Sequence, residues 1–253
     1  MTISVAVAGA VAMASCAAGH YTVSSVERTR ILIDSRYDRH PDAAAAEFLA
    51  PYKASVDSLM SPVMGTAACD MARQRPESPL SNLLADILVW SSAKFGEKPD
   101  FAVYNMGGIR ASISKGKVTR GDILDVAPFE NKICFLTLSG DDVMELFGQI
   151  ASVHGEAVSH AVRLVITDGG KLVSAEVGGS PVDRSRQYRV ATLDYLAQGN
   201  DRLEAFKKKR DVVSPKGDEN NVRFLIEEYF KAMQAEGKAV GATVEGRVTV
   251  KQQ

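Results

Sequence analysis

The feature that most constrains this chain is the segment of residues 101–110, in which an apolar run meets an asparagine, two glycines and an arginine. The apolar and aromatic run predicts a short buried strand. Gly107 and Gly108 lack a Cβ atom, so their backbone N–H groups can come close to a ligand. Arg110 follows this turn, and its guanidinium can bind a phosphate or a carboxylate through two parallel hydrogen bonds. The segment therefore predicts a strand that ends at a ligand-binding turn.

The composition is that of an ordinary globular protein and excludes one class of function. The 253 residues are 45% hydrophobic and 24% charged, which is enough chain for one large core or for one domain with an extension. The formal net charge is −1, whereas nucleic-acid binding needs a basic face. The dense positive cluster at residues 207–210 favours a solvated helix end. We therefore expect no nucleic-acid partner.

The N-terminal residues predict an export signal rather than part of the fold. Residues 3–14 form an uncharged run of small and apolar residues that is too short to span a bilayer as a helix. The run resembles the apolar region of a secretory signal, and residues 13–16 resemble a bacterial lipobox, whose cysteine, here Cys16, is lipidated after cleavage. In the alternative, the signal is simply cleaved and Cys16 has no role. We expect an exported protein, either a membrane-anchored lipoprotein or periplasmic, with residues 1–16 as the signal and residues 17–50 as an N-terminal extension.

Strand and helix patterns are mixed along the rest of the chain, which favours an α+β fold with mixed β-sheets layered with helices. Ser78, Pro79 and Gly96 are typical of helix ends, and Ser139 is typical of a helix cap. Asp168 and the two glycines after it are typical of a hairpin turn. The predicted helices cover residues 42–60 with a break near Pro51, 78–95, 143–153 and 219–235, and the predicted strands cover residues 21–34, 100–105, 162–167, 171–177, 188–192 and 242–250.

The chain has three cysteines, Cys16, Cys69 and Cys134. Cys134 lies in an apolar run, which favours a buried thiol. A disulfide between Cys69 and Cys134 stays open for an exported protein, because sequence alone does not determine pairing. The spacing of the cysteines is not that of a zinc site.

Metal-ion and nucleophilic catalysis both lack their usual motifs in this sequence. A two-metal centre needs several Asp, His and Asn ligands, and the four histidines form no His-x-His pair. Asp38 and His40 match the Asp-x-His opening of metallophosphoesterases, but the other motifs of such a centre do not follow, so both are expected to be surface loop residues. Ser139 lies outside any Gly-x-Ser-x-Gly elbow. We expect neither a metal site nor catalytic residues in this chain.

Four segments in combination resemble a known family. They are residues 77–86 (Glu-Ser-Pro-Leu-Ser-Asn-Leu-Leu-Ala-Asp), 101–110, 126–131 (Val-Ala-Pro-Phe-Glu-Asn) and 192–201 (Thr-Leu-Asp-Tyr-Leu-Ala-Gln-Gly-Asn-Asp). Together they resemble the C-terminal, substrate-binding domain of the 5'-nucleotidase / UDP-sugar hydrolase family, over roughly residues 50 to 250, which is about the size of one domain. The resemblance implies that residues 51–253 form such a domain and bind a nucleotide or nucleoside.

The resemblance also implies which residues form the nucleotide site. Phe129 and Tyr195 match two rings that hold the base between them, and such stacking is worth about 1–3 kcal/mol per base. Asp201 matches a carboxylate that accepts hydrogen bonds from ribose hydroxyls, and Arg110 matches an arginine that reaches the phosphate or orients the glycine turn. In the alternative, both aromatic residues belong to the core. The implied substrate-binding residues are Asn105, Gly107, Gly108, Arg110, Phe129, Asn131, Tyr195 and Asp201, with the two asparagines facing the base.

The sequence departs from the family pattern at four places. Asn200 stands where glycine is common, which is a mild change because asparagine tolerates a positive φ. Gln74 stands where many members have an arginine, although Arg73 and Arg75 flank it. Tyr195 stands where phenylalanine is usual. Arg202 stands where glycine is common, which predicts a changed ribose corner.

By this resemblance the chain is the nucleotide-binding half of a split 5'-nucleotidase. Hydrolysis of the phosphate ester needs divalent metals, which we expect only in a separate metallophosphoesterase partner chain. The chain is therefore not expected to be active alone. Two alternatives stay open, a nucleoside-binding exported lipoprotein without an enzymatic role and a scaffold whose pocket has decayed. A lipid anchor is the only membrane contact that we expect.

Overall fold

The computed structural model describes residues 23–31, 34–36, 39 and 41–251. Cys16, Asp38 and His40 lie outside these residues, and the roles predicted for them stay predictions. The chain divides into two units, Met1–Ala50 and Pro51–Gln253. The assignment of residues 1–16 to a signal and of residues 17–50 to an extension also stays a prediction.

Two predictions for the N-terminal region are wrong. Residues 23–31 are exposed and belong to no helix or strand, whereas a strand was expected over residues 21–34. A strand needs a partner for its N–H and C=O groups, and an alternating pattern alone does not supply one. Helix α1, Ala43–Met60, contains Pro51 without the expected break. Pro51 removes one backbone donor, and the helix continues on both sides of it.

The second unit combines three sheets with helices, which confirms the predicted α+β fold with mixed sheets. Its strands are β1 Val63–Ala67, β2 Phe101–Tyr104, β3 Gly116–Thr119, β4 Ile133–Ser139, β5 Ala157–Val158, β6 Val162–Thr167, β7 Leu172–Val177, β8 Ser180–Pro181, β9 Gln187–Leu193, β10 Arg210–Val213 and β11 Val248–Lys251. Its α-helices after α1 are α2 Pro79–Ser91, α3 Arg120–Val126, α4 Gly140–Ser152, α5 Asp194–Ala197 and α6 Val222–Ala235.

The central sheet has five strands in the order β10-β4-β9-β2-β5. All four residues of β2 and most residues of β4 and β9 are buried, so both faces of these strands lie in the core. Helix α2 packs against β2, β5 and α6, and helix α4 packs against β4 and β7. A two-stranded sheet of β1 and β3 and a four-stranded sheet in the order β11-β6-β7-β8 complete the unit.

The locally encoded elements form as predicted. Ser78 caps helix α2, Pro79 is its first residue, and Gly96 ends the 3₁₀ turn that follows it with φ +70°. Ser139 caps helix α4, because its hydroxyl accepts from the backbone N–H of Asp142. Strands β6 and β7 pair antiparallel across the predicted hairpin turn. These elements carry their own start and stop residues, so tertiary contacts are not needed to define their ends.

The predicted closing strand over residues 242–250 is wrong in its first half. Only β11 pairs, in parallel with β6. Before it, the backbone N–H groups of Glu245 and Arg247 each donate to the carboxylate of Glu77 over 2.7 Å. A buried carboxylate thus takes the donors that a neighbouring strand would otherwise bind.

The two cysteines within the described residues do not pair. Cys69 and Cys134 are both free thiols, and Cys134 is buried as predicted. Burial raises the pKa of the Cys134 thiol, because the thiolate loses its hydration.

The strand directions bring three loops to one edge of the central sheet. β2 and β9 run parallel, with Phe101 opposite Val190, so the segments after both strands leave at the same edge. β4 runs antiparallel to β9, with Ile133 opposite Leu193, so the segment before β4 arrives at that edge too. The buried Thr192 hydroxyl donates to the carbonyl of Val103 over 2.9 Å and ties β9 to β2. This edge carries the candidate site.

Candidate ligand-binding site

A cavity of about 220 Å³ opens where the three loops meet. It is lined by Asn105, Gly107 and Gly108 after β2, by Phe129 and Asn131 before β4, and by Tyr195 and Asp201 after β9. The structure thus brings together seven of the eight residues predicted to bind substrate. The eighth is Arg110, an exposed residue whose guanidinium lies 3.4 Å from the carbonyl oxygen of Gly107, beside the cavity rather than in its wall.

The two aromatic side chains line the cavity instead of filling the core. Phe129 is 49% exposed, which is high for a phenylalanine. Tyr195 is half-buried and packs against the edge of the core with part of its surface free. The alternative in which both rings are core residues is therefore wrong for Phe129. An exposed ring at a cavity mouth offers an apolar face to a flat ligand.

A carboxylate lies at one side of the cavity and is held from two directions. The Tyr195 hydroxyl donates to Oδ1 of Asp201 over 2.9 Å, and the Asn105 amide donates to its Oδ2 over 2.7 Å. The bond to Asp201 raises the pKa of Tyr195, since only the neutral phenol can donate. Asp201 has a left-handed backbone with φ +56°, a conformation that Asp tolerates better than most residues. Arg202, where glycine is usual in the resembling family, is left-handed as well with φ +65°.

The glycine turn lies directly on the Asn105 side chain. Met106–Gly108 form a single 3₁₀ turn, and Asn105 is its N-terminal flanking residue. A Cβ atom on Gly108 would lie 2.4 Å from Oδ1 of Asn105, far inside any normal contact. That oxygen is buried and has no hydrogen-bond partner in the described part of the chain. Gly108 is thus required by packing against Asn105.

We expect Gly108→Ala to destabilise the site. The new methyl group displaces the Asn105 amide and breaks its bond to Asp201, with an expected loss of about 1–3 kcal/mol in the free energy of unfolding. Urea denaturation measures this loss. Gly107→Ala is the matched control, because its Cβ would meet Asp201 Oδ2 at an ordinary 3.6 Å. Equal stability of the two variants would contradict the assigned packing role.

Two side chains hold the glycine turn of Met106–Gly108 in place. Sequence reasoning noted Arg73 only as a neighbour of Gln74, and it missed Glu156. Arg73 donates to the carbonyl of Met106 over 2.9 Å, and the buried Glu156 accepts from the Met106 N–H. Glu156 also pairs with Arg75, and its burial raises its pKa. A second cavity of about 210 Å³, lined by Arg73, Gln74, Arg75, Met106 and Gly107, adjoins the first through Gly107. No local pattern marks Glu156, because its partners are distant in the sequence.

Asp194 was also missed, and it joins two of the three loops. Its Oδ1 accepts from the backbone N–H of Lys132 over 3.0 Å and from that of Tyr195 over 2.9 Å. Its own N–H donates to the Lys132 carbonyl over 2.9 Å. The segment that carries Phe129 and the segment that carries Tyr195 are thereby fixed relative to each other.

The side chains at the cavity can bind a ligand, and they do not fit a two-metal centre. Within the described ranges, no group of three or more His, Cys, Asp or Glu side chains is placed to hold a metal ion. The lining supplies two aromatic rings, two amides and one carboxylate, which together suit a flat polar ring attached to a hydroxylated group.

The family model for the 5'-nucleotidase C-terminal domain matches residues 63–208, more than half of the chain. The chain belongs to the 5'-nucleotidase C-terminal domain family. The match contains all eight predicted site residues and the strands β2, β4 and β9 that position them.

Similar proteins support this membership of the 5'-nucleotidase C-terminal domain family. Protein UshA from Yersinia enterocolitica is 31% identical over 168 residues, which cover 63% of this chain and 30% of UshA. Cell wall protein Lmo0130 from Listeria monocytogenes is 26% identical over 239 residues, which cover 84% of this chain and 30% of that protein. The crystal structure of a 5'-nucleotidase precursor from Thermus thermophilus superimposes with a TM-score of 0.71 at 28% identity, covering 83% of this chain and 43% of that one.

The chain therefore spans less than half the length of these relatives. What it has in common with them is the 5'-nucleotidase C-terminal domain. In the ranges that the structure describes, no helix has both the length and the apolar character needed to cross a membrane.

Proposed function

We propose that this 5'-nucleotidase C-terminal domain binds a nucleotide or nucleoside in the cavity at the edge of the central sheet. The observation that carries the proposal is the meeting of three separate loops in one cavity, with the half-exposed ring of Phe129 on it. A half-exposed phenylalanine contributes little to the packing of the core, whereas a base can stack on its free face.

In this proposal the base lies between Phe129 and Tyr195, and the sugar lies against Asp201. The amides of Asn105 and Asn131 face the base, where an amide can both donate and accept hydrogen bonds. A cavity of about 220 Å³ is smaller than the roughly 300–1,000 Å³ typical of drug-sized ligand sites, so part of the nucleotide extends outside it. The phosphate then passes Gly107 towards the exposed guanidinium of Arg110.

The proposal assigns hydrolysis of the phosphate ester to a metallophosphoesterase partner chain that supplies the divalent metals. The described residues fit binding and orientation of a nucleotide, and no step of hydrolysis is assigned to them. The nucleotide-binding chain would present the phosphate to its partner at the Arg110 side of the cavity.

Export is part of the same proposal. The sequence pattern of residues 3–16 supports a secretory signal with lipidation at Cys16. One relative is a cell wall protein by name, which agrees with a location outside the cytoplasm.

Calorimetric titration of the full chain with AMP and with adenosine tests the binding site. We expect both to bind, since both carry the base and the ribose. Ribose 5-phosphate is the matched control ligand, and we expect it to bind at least about tenfold more weakly, because it has no base to stack. A chain shown by circular dichroism to be folded, yet without affinity for AMP and adenosine, would contradict the proposal.

Phosphate release from AMP tests whether this chain only binds the nucleotide and a partner chain hydrolyses it. With Mg²⁺ or Mn²⁺ and no other protein, we expect the chain to bind AMP without catalysing repeated release of phosphate from it. Multiple turnovers by the pure chain would refute the assignment of hydrolysis to a partner. If the chain is a nucleoside-binding lipoprotein, we expect an added metallophosphoesterase chain to leave phosphate release unchanged. If the chain is half of a split enzyme, we expect the added chain to cause phosphate release.

A further inference from the structure

The hydroxyl group of Tyr195 is the feature of the cavity that the family pattern does not account for. A phenylalanine, usual at this position in the resembling family, supplies a stacking ring without any polar group. In this chain the ring carries a hydroxyl that donates to Oδ1 of Asp201 over 2.9 Å. The same residue therefore contacts both the proposed base position and the proposed sugar position.

The hydrogen-bond capacity of Asp201 is partly used by the protein. A carboxylate has about four acceptor positions, two on each oxygen. The Tyr195 hydroxyl takes one position on Oδ1, and the Asn105 amide takes one position on Oδ2 over 2.7 Å. As far as the described residues go, one acceptor position is then left on each oxygen. Two such positions side by side match two neighbouring hydroxyl groups of a ligand.

The backbone of Asp201 is fixed as well as its side chain. Asp201 and Arg202 are both left-handed, with φ +56° and +65°. The Asn200 amide donates to the carbonyl of Tyr195 over 2.8 Å, and the Gly199 N–H donates to the carbonyl of Leu196 over 2.8 Å. The turn that carries the carboxylate is thus tied back to the short helix that carries the tyrosine.

Resting on the proposed nucleotide site, we propose that the Tyr195 hydroxyl is a positioning group that orients Asp201 as a two-point acceptor for the vicinal hydroxyls of ribose. The site then selects ribonucleosides over 2'-deoxyribonucleosides and 3'-deoxyribonucleosides. Among the described residues, Tyr195 is the donor to Oδ1, and Asn105 alone does not fix rotation about the Cβ–Cγ bond. Loss of either ribose hydroxyl leaves one oriented acceptor position without a donor, which lowers affinity.

Tyr195→Phe separates this role from stacking, because it removes the hydroxyl and keeps the ring. We expect the preference for adenosine over 2'-deoxyadenosine to fall roughly three- to tenfold, the size of one ordinary hydrogen bond, because the hydroxyl acts on the ribose only through Asp201. The affinity for adenine, which has no sugar, is expected to change by less than about twofold, because stacking is retained. Tyr229→Phe removes a tyrosine hydroxyl outside the cavity lining and is the matched control.

The experiment is calorimetric titration of the full chain and of Tyr195→Phe, Asp201→Asn, the double variant and Tyr229→Phe. Adenosine, 2'-deoxyadenosine, 3'-deoxyadenosine and adenine are the ligands. Asparagine also tolerates the left-handed backbone at position 201, so Asp201→Asn tests the charge without adding strain. If Tyr195 acts through Asp201, adding Tyr195→Phe to Asp201→Asn leaves the ribose preference unchanged.

The outcomes distinguish this proposal from the one on which it rests. The positioning role is supported if Tyr195→Phe reduces the ribose preference of the wild-type chain and causes no further reduction in the Asp201→Asn variant. An unchanged or increased ribose preference in Tyr195→Phe overturns the positioning role but not the nucleoside site. An equal loss of affinity for all four ligands in Tyr195→Phe also overturns the positioning role. A folded wild-type chain that binds none of the ligands contradicts both proposals.

Discussion

Replacing Phe129 or Tyr195 by alanine is expected to weaken adenosine binding about tenfold or more in each case, because each change removes one face of the proposed stack. The structure makes Phe129 the more direct probe. Its ring is 49% exposed, so its loss removes little core packing and the fold is retained. Tyr195→Ala additionally removes the bond to Asp201 and is therefore expected to have the larger effect on adenosine than on adenine.

Titration of adenosine by calorimetry, with circular dichroism as a check on folding, measures these effects. Phe224→Ala is the matched control, since Phe224 is 37% exposed and is not part of the cavity lining. We expect this control to bind adenosine as the wild type does. Equal affinities in the wild type, Phe129→Ala and Tyr195→Ala would refute the stacking arrangement.

Replacing Arg247 by alanine is expected to lower the free energy of unfolding by about 2–4 kcal/mol, because the change removes a buried guanidinium and leaves its buried carbonyl acceptors without a donor. Arg247 is only 1% exposed. Its guanidinium donates to the two carboxylate oxygens of Asp86 over 2.9 and 2.7 Å and to the carbonyl of Val158 over 2.9 Å. It also pairs with Glu245 over 3.0 Å. Alanine leaves Asp86 and these acceptors without their donor.

Urea denaturation measures this loss, and the exposed pair of Lys94 and Glu228 provides the control. Its side chains are 40% and 42% exposed, so we expect Lys94→Ala to cost less than about 1 kcal/mol. A loss for Arg247→Ala no larger than that of the control would show that Arg247 does not hold the C-terminal segment. Adenosine affinity of the folded fraction is expected to stay unchanged, since Arg247 does not line the cavity.

Residues 77–86 have a packing role in the structure. In the sequence they contribute to the resemblance to a substrate-binding domain. In the structure, Glu77 accepts from the backbone of the C-terminal segment and Asp86 binds Arg247. Neither lines the cavity at the sheet edge. This motif therefore identifies the family through a packing requirement of the fold.

Several properties of the protein follow from the sequence by itself, because the interactions that produce them are local. Ser78 and Pro79 begin helix α2, Gly96 ends the 3₁₀ turn that follows it, and hairpin β6–β7 has its turn residues in place. The four motif segments predicted the family, and the resemblance that they carry implied the seven residues that line the cavity in the described part of the chain. The limits of such local patterns show in residues 23–31, where alternation without a pairing partner predicted a strand that does not form.

Only the tertiary structure decided which polar groups, distant in the sequence, form hydrogen bonds with each other. Glu77 takes backbone donors from residues 245–248, which shortens the predicted closing strand. Asp194 joins two loops, and Glu156 and Arg73 hold the glycine turn. The bond from Tyr195 to Asp201 arises only once the turn at residues 199–202 is folded. A buried polar group must find a partner wherever the packed chain offers one, and sequence separation carries no information about which partner that is.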